Sequence, residues 1–196
     1  DWRGFGDSQW NDGSYYFPDY LADLDDLLRQ LSPQQPVNLL GHSMGSFIAR
    51  AYFLRYGGLL SGLMLSSTGY RPRPLARLLG AVARFLGRRK GWDRPSRLMA
   101  ALVFGSFNLG FPPWRTKMDW LSRDAGEVDA YLADPDCGFD PTPGLWADLF
   151  AGIVEMENGE AAGQGIQRRC PVLLFAGSRD PVSLGSLALG QLEIRY

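Results

Sequence analysis

Gly41-His42-Ser43-Met44-Gly45 stands at a junction. An apolar run precedes it, Pro36-Val37-Asn38-Leu39-Leu40, and a run of helical character follows, Ser46-Phe47-Ile48-Ala49-Arg50-Ala51-Tyr52-Phe53-Leu54. A serine on a sharp strand-to-helix turn, flanked by glycines that let neighbouring backbone pass without a Cβ clash, is the arrangement of a nucleophile elbow. The turn lifts the Ser43 Oγ clear of the sheet. It also sets the next amide, that of Met44, at a helix N-terminus, where it can donate to an oxyanion. Glycine makes up 24 of 196 residues, so the pattern alone has little weight. The strand before it and the helix after it supply the weight.

A serine nucleophile needs a general base, usually histidine. The chain holds one histidine, His42, beside Ser43. Consecutive side chains at a strand end point to opposite sides, so His42 reads as packing next to the elbow rather than serving it. The base therefore lies outside these residues or does not exist.

Outward from the elbow, Pro18 to Leu31 carries Tyr20, Leu21, Leu24, Leu27, Leu28 and Leu31 at helical spacing, stopped by Ser32-Pro33. Tyr56-Gly57-Gly58 ends the helix after the elbow, and Leu59 to Ser66 reads as a second buried strand. Strand, helix, strand is the repeat of a parallel sheet. The rhythm then breaks. From about Thr68 to Arg169 the patterns are mostly helical, and the next strand is Pro171-Val172-Leu173-Leu174-Phe175-Ala176-Gly177, entered from Cys170. The expected organisation is a core in two parts, 1–67 and 170–196, with a helical cap inserted at 68–169. Helices inserted at the C-terminal edge of such a sheet cover the site. Within the cap, Leu75, Leu78, Leu79, Val82, Phe85 and Leu86 form an amphipathic stripe. Nine basic residues lie between Arg71 and Arg97 against Asp93 alone. The expectation is an apolar face packed inward and a solvated basic face. The alternative, a helix touching a lipid pocket or membrane surface, leaves peripheral membrane contact open.

A triad also needs an acid to orient its base. Asp180, in Gly177-Ser178-Arg179-Asp180-Pro181-Val182, follows the returning strand directly, at the edge where sites of parallel sheets form. The bland alternative is an Asp that starts a turn before Pro. Charge and composition are ordinary, at 45% hydrophobic, 21% charged and net −1, so nothing argues for nucleic acid as a partner. Cys137 and Cys170 do not make a disulfide framework; free thiols suit a reducing, cytoplasmic setting, and a metal site lacks histidine partners.

Asp1-Trp2-Arg3-Gly4-Phe5-Gly6, Gly41 to Ser46 and Gly177 to Val182 together resemble three landmarks of the α/β-hydrolase fold. Among its branches the chain is similar to the monoacylglycerol-lipase and lysophospholipase-like hydrolases of bacteria. The cap segments Phe104-Gly105-Ser106-Phe107-Asn108, Asp119-Trp120-Leu121-Ser122-Arg123-Asp124 and Asp134-Pro135-Asp136-Cys137-Gly138-Phe139 strengthen the resemblance. It implies a parallel sheet with helices on both faces and an inserted cap, incomplete at both ends. It implies Ser43 as nucleophile, Asp180 as acid, the Met44 amide as half of an oxyanion hole, and Gly41, His42 and Gly45 as the frame of the elbow. Such enzymes place four strands and a second oxyanion donor before the Asp1 loop, and a last strand and the catalytic histidine after Tyr196. Trp2 stands where the first landmark usually has histidine. The implied chemistry is hydrolysis of carboxylic esters of a lipid-like small molecule, with no cofactor, no metal and no obligate protein partner. Retention of the pocket without the base would instead make a binding protein, and a peptidase or small-ester esterase would use the same fold. As an internal fragment the chain itself is expected to be inactive.

Overall fold

In a computed structural model the chain is described over residues 17–32, 34–70, 72–166, 169–185 and 187–196. The opening landmark Asp1 to Gly6, Pro33 of the expected turn and Arg71 lie outside these residues. The element order is α1 (Phe17–Leu31), β1 (Val37–His42), α2 (Met44–Tyr56), β2 (Leu60–Ser66), α3 (Arg73–Lys90), α4 (Arg97–Phe104), α5 (Ala125–Ala133), α6 (Pro143–Ala161), β3 (Val172–Phe175) and α7 (Leu187–Glu193). The three strands form one parallel sheet in the order β1-β2-β3.

Register decides which side chains share a face. Leu39, Leu63 and Val172 pair across the sheet, as do Gly41, Leu65 and Leu174. This row lies under α2: a Cβ built on Gly41 would stand 2.7 Å from the Ala49 Cβ. The alternate row holds Leu40, Met64 and Leu173, followed by His42, Ser66 and Phe175. Here Leu40, Leu173 and Phe175 are exposed. On the outer strands the row under α2 is thus the less exposed of the two. α2 is buried from Ser46 through Phe53, which suits its nearly all-apolar sequence. α1 packs on it through Leu21 and Leu24, and the Tyr52 hydroxyl donates to Asp25 at 3.0 Å.

The chain divides into two compact units. One takes the described residues up to Gly80 with Asp148–Tyr196; the other is Ala81–Ala147. The second is shorter than the 68–169 segment read as inserted. Thr68 and Gly69 belong with the sheet because Arg50 of α2 holds them, and most of α6 belongs there through Glu157 and Glu160. Within the shorter unit, Phe104, Phe107 and Trp120 form an aromatic cluster with centroids 5.0 to 6.2 Å apart. The Asn108 side chain donates to Thr116 O and accepts from Trp120 N. Ser96 and Asp124 cap α4 and α5 by accepting from Met99 N and Gly126 N.

The stripe on α3 is corrected by the structure. Leu75, Leu78 and Phe85 are 42%, 60% and 58% exposed, while Ala76, Gly80, Ala83, Leu86 and Gly87 are buried. Small residues permit closer approach than the bulky stripe does, and the Trp92 ring occupies the space a Cβ on Gly87 would need.

Candidate active site

β1 ends at His42 and α2 begins at Met44, so Ser43 is the whole of the turn between them. Its backbone sits at φ 49°, ψ −122°, a conformation that costs a non-glycine residue about 1–3 kcal/mol. Surrounding bonds hold it there. Ser43 N donates to Ser66 O at 3.0 Å, and Ser43 O accepts from Ser46 N at 3.0 Å and from the Ser46 hydroxyl at 2.5 Å. As the first residue of α2, Met44 has an amide with no acceptor one turn back. Gly41 is required by the close approach of α2, since a Cβ there would also lie 2.7 Å from Gly45 O and 2.8 Å from Ser46 Cα. Nothing lies within 4 Å of a Cβ built on Gly45.

His42 points to the face opposite α2, where its Nδ1 lies 3.0 Å from Ser66 Oγ. The ring thus meets the end of the neighbouring strand β2.

β2 separates β1 from β3, and the same edge carries the loop after β3 that holds Asp180. Ser67 N donates to Phe175 O at 3.0 Å, at the level where Ser43 N meets Ser66 O. Asp180 lies five residues past Phe175, in a loop closed by its own bonds. Val182 N donates to Asp180 Oδ1 at 2.8 Å, Gly185 N to Asp180 O at 2.9 Å, and Asp180 N to Gly177 O at 3.0 Å. The turn-forming role of Asp180 is therefore real, but it uses one carboxylate oxygen. Asp180 Oδ2 is buried and, among the described residues, has no hydrogen-bond partner. Strands about 4.8 Å apart put the ends of β1 and β3 roughly 10 Å apart, with the end of β2 between them.

Behind the turn lies a charge cluster that the sequence did not bring to attention. Arg50 is fully buried. Its Nε and Nη2 donate to the two carboxylate oxygens of Glu160 at 2.7 and 2.6 Å, Nη2 also reaches Glu157 at 3.2 Å, and Nη1 donates to Gly69 O at 2.7 Å. Arg195 donates to Glu157 and Glu160 at 2.7 and 2.9 Å. Burial pushes the Glu160 carboxyl up, but the Arg50 guanidinium, together with the Tyr196 hydroxyl and Arg195 that also donate to it, outweighs burial and leaves it below its ordinary value. At Glu157 burial prevails and the carboxyl is raised. The one signal in the sequence was an arginine inside a run that is otherwise apolar, Phe47 to Leu54. Among the described residues no group of three or more His, Cys, Asp or Glu side chains is placed to hold a metal ion. Cys137 and Cys170 are free thiols.

The family model described as Hydrolase_4, serine aminopeptidase S33, matches residues 1–187. The chain belongs to this family. A monoacylglycerol lipase of Mycolicibacterium smegmatis is 30% identical over 148 residues, covering 76% of this chain and 45% of the lipase. The Hydrolase_4 chain thus spans less than half the length of that curated relative. Among solved structures, a thermostable carboxyl esterase of Bacillus coagulans in complex with glycerol superposes with TM-score 0.76 at 25% identity, covering 93% of this chain and 60% of the esterase. A monoacylglycerol lipase of Paleococcus ferrophilus superposes with TM-score 0.66 at 22% identity, covering 97% and 66%, and carries the fold alone. The architecture is the α/β-hydrolase fold expected from the sequence. Among the described residues no helix is long and apolar enough to cross a membrane.

Proposed function

We propose that the protein is a serine hydrolase of carboxylic esters, acting on a monoacylglycerol or lysophospholipid-like substrate. Ser43 attacks the acyl carbon, the Met44 amide receives the oxyanion, and Asp180 orients an imidazole that takes the Ser43 proton and passes it to the leaving alcohol. Water then hydrolyses the acyl-enzyme. The observation that carries this reading is Ser43 at φ 49° on a strand-to-helix turn, with the orphaned Asp180 Oδ2 at the same sheet edge. A buried carboxylate oxygen without a donor is costly unless a donor completes it, and the N–H of an imidazole is such a donor. His42 is engaged by Ser66, so it is not assigned this role. The relatives named as monoacylglycerol lipase and carboxyl esterase support an ester substrate. The exposed Leu75, Leu78 and Phe85 among the arginines of α3 support a lipid-like one.

The test uses the full-length protein. A fluorophosphonate probe is expected to label Ser43 alone, and Ser43→Ala to lower ester turnover by at least ~10⁴-fold, the scale of triad knockouts. Hydrolysis of p-nitrophenyl esters by the Ala variant at the wild-type rate refutes the proposal. No labelling and no turnover by the wild type favours a base-less binding protein.

A further inference from the structure

The Ser43 carbonyl and the Met44 N–H belong to one peptide group. A trans planar peptide points its C=O and N–H in opposite directions. Whatever holds the Ser43 carbonyl therefore aims the Met44 N–H.

The Ser43 carbonyl is held twice. Ser46 N at 3.0 Å is enough to close the first turn of α2, yet the Ser46 hydroxyl adds a second bond at 2.5 Å. A hydroxyl has one proton, and a carbonyl oxygen can only accept. The Ser46 proton is thus committed to Ser43 O. The Thr68 hydroxyl, 2.8 Å from Ser46 Oγ, must then be the donor of that pair. Thr68 Oγ1 in turn accepts from Arg50 Nη1 at 3.4 Å, since a guanidinium can only donate. Every proton in the series points toward the turn, from a fixed cation to the peptide that carries the Met44 N–H. Ser46, Arg50 and Thr68 are all fully buried, so water does not screen the series. In such surroundings each bond in a chain strengthens the next by about 10–30%.

We propose that Thr68 and Ser46 form a hydrogen-bond relay, anchored on Arg50, that aims and polarises the Met44 amide, which makes Thr68 a positioning residue for the oxyanion donor. This rests on the assignment of Ser43 as nucleophile and Met44 N–H as oxyanion donor. The anchor is rigid because Glu160 grips two nitrogens of the guanidinium and Gly69 O takes a third, at 2.6 to 2.7 Å. It also steadies the neighbouring loop: a Cβ on Gly69 would lie 2.9 Å from Val182 O, beside Asp180.

The relay is tested in the full-length enzyme with Thr68→Val, which keeps the side-chain shape and removes the hydroxyl, and Thr68→Ser, which keeps the hydroxyl. Active sites are counted by fluorophosphonate titration, so that loss of folded protein does not register. Thr68→Val is expected to lower kcat per titrated serine on p-nitrophenyl butyrate by about 10- to 100-fold, below or within the loss from deleting an oxyanion donor, with KM within about twofold. The Ki of an alkyl boronic acid, whose tetrahedral adduct imitates the transition state, is expected to rise by a similar factor. Thr68→Ser is expected to stay within about threefold of wild type, and Ser46→Ala to lose at least as much as Thr68→Val. If Thr68→Val does not fold, Ser46→Ala carries the same measurements. The relay is overturned if the hydroxyl-less variants keep kcat and boronate affinity within twofold, or if Thr68→Ser loses as much as Thr68→Val. Failure of the probe to label Ser43 in the wild type is a separate result: it removes the nucleophile assignment and the relay with it.

Discussion

The two glycines of Gly41-His42-Ser43-Met44-Gly45 are equivalent in the pattern and opposite in the structure. A Cβ at position 41 would stand 2.7 Å from Ala49 Cβ, 2.7 Å from Gly45 O and 2.8 Å from Ser46 Cα. Ordinary contact between carbon atoms is about 3.5–4.0 Å, so the first turn of α2 must retreat by close to an ångström. Two of the three atoms are backbone, and that turn is tied to Ser43 O and Thr68, so no side chain can swing aside. Overpacking of this kind costs roughly 1–3 kcal/mol, and the upper half of that range is expected at Gly41→Ala. For a domain of 150–250 residues each kcal/mol lowers Tm by about 2–4 °C, so a fall of roughly 4–12 °C follows. A displacement of about 1 Å at a reacting group can cost 10²-fold in rate, so turnover should fall with Tm. Gly45→Ala meets nothing within 4 Å and lies in a helix, where the change gains about 0.5–1 kcal/mol. Thermal melts and ester turnover of the full-length protein and both variants decide the matter. Equal effects of the two substitutions, or a Gly41→Ala protein with unchanged Tm and turnover, would refute the packing argument.

Asp180→Asn is expected to lower turnover by about 10⁴-fold with Tm nearly unchanged, because the amide oxygen can keep the Val182 N–H while the base loses its partner; near-normal turnover would remove Asp180 from the site. A pH-dependent stability is expected from Asp148, whose carboxyl is raised by burial, and by Asp19, against the opposing Phe17 N–H that donates to it. A raised carboxyl contributes stability below its unfolded pKa and loses it as pH rises through the folded value. Asp148→Asn should therefore melt near the wild type at pH 4 and above it at pH 7.5, and a constant difference across that range would contradict the assignment.

Local pattern was enough for the elements of the sheet. The apolar run before Gly41, the helical run after it and the run after Cys170 became β1, α2 and β3, with ends shifted by one to two residues. Each is decided by side-chain periodicity within a few turns of chain. The α3 stripe shows where that rule stops: periodicity finds the apolar side of a helix but not the closest packing, and the side actually buried carries Ala76, Ala83 and Gly87.

The family was also legible, since a Gly-flanked serine at a strand end, an Asp after a later strand and the cap segments are local signatures of it. What the tertiary structure decided is everything that depends on residues far apart in the chain. Arg50 meets Glu160 across 110 positions, and Thr68 meets Ser46 across 22. No local rule marks a buried Arg, Thr and Ser as members of one series. Which glycine of the turn has no room for a Cβ, which way His42 faces and which Asp180 oxygen lacks a partner among the described residues likewise follow from the packing of α2, β2 and the loop after β3 against one another. Sequence periodicity sets the face an element presents; only the closed fold sets which atoms meet there, because hydrogen bonds are short and directional and a shift of one ångström unmakes them.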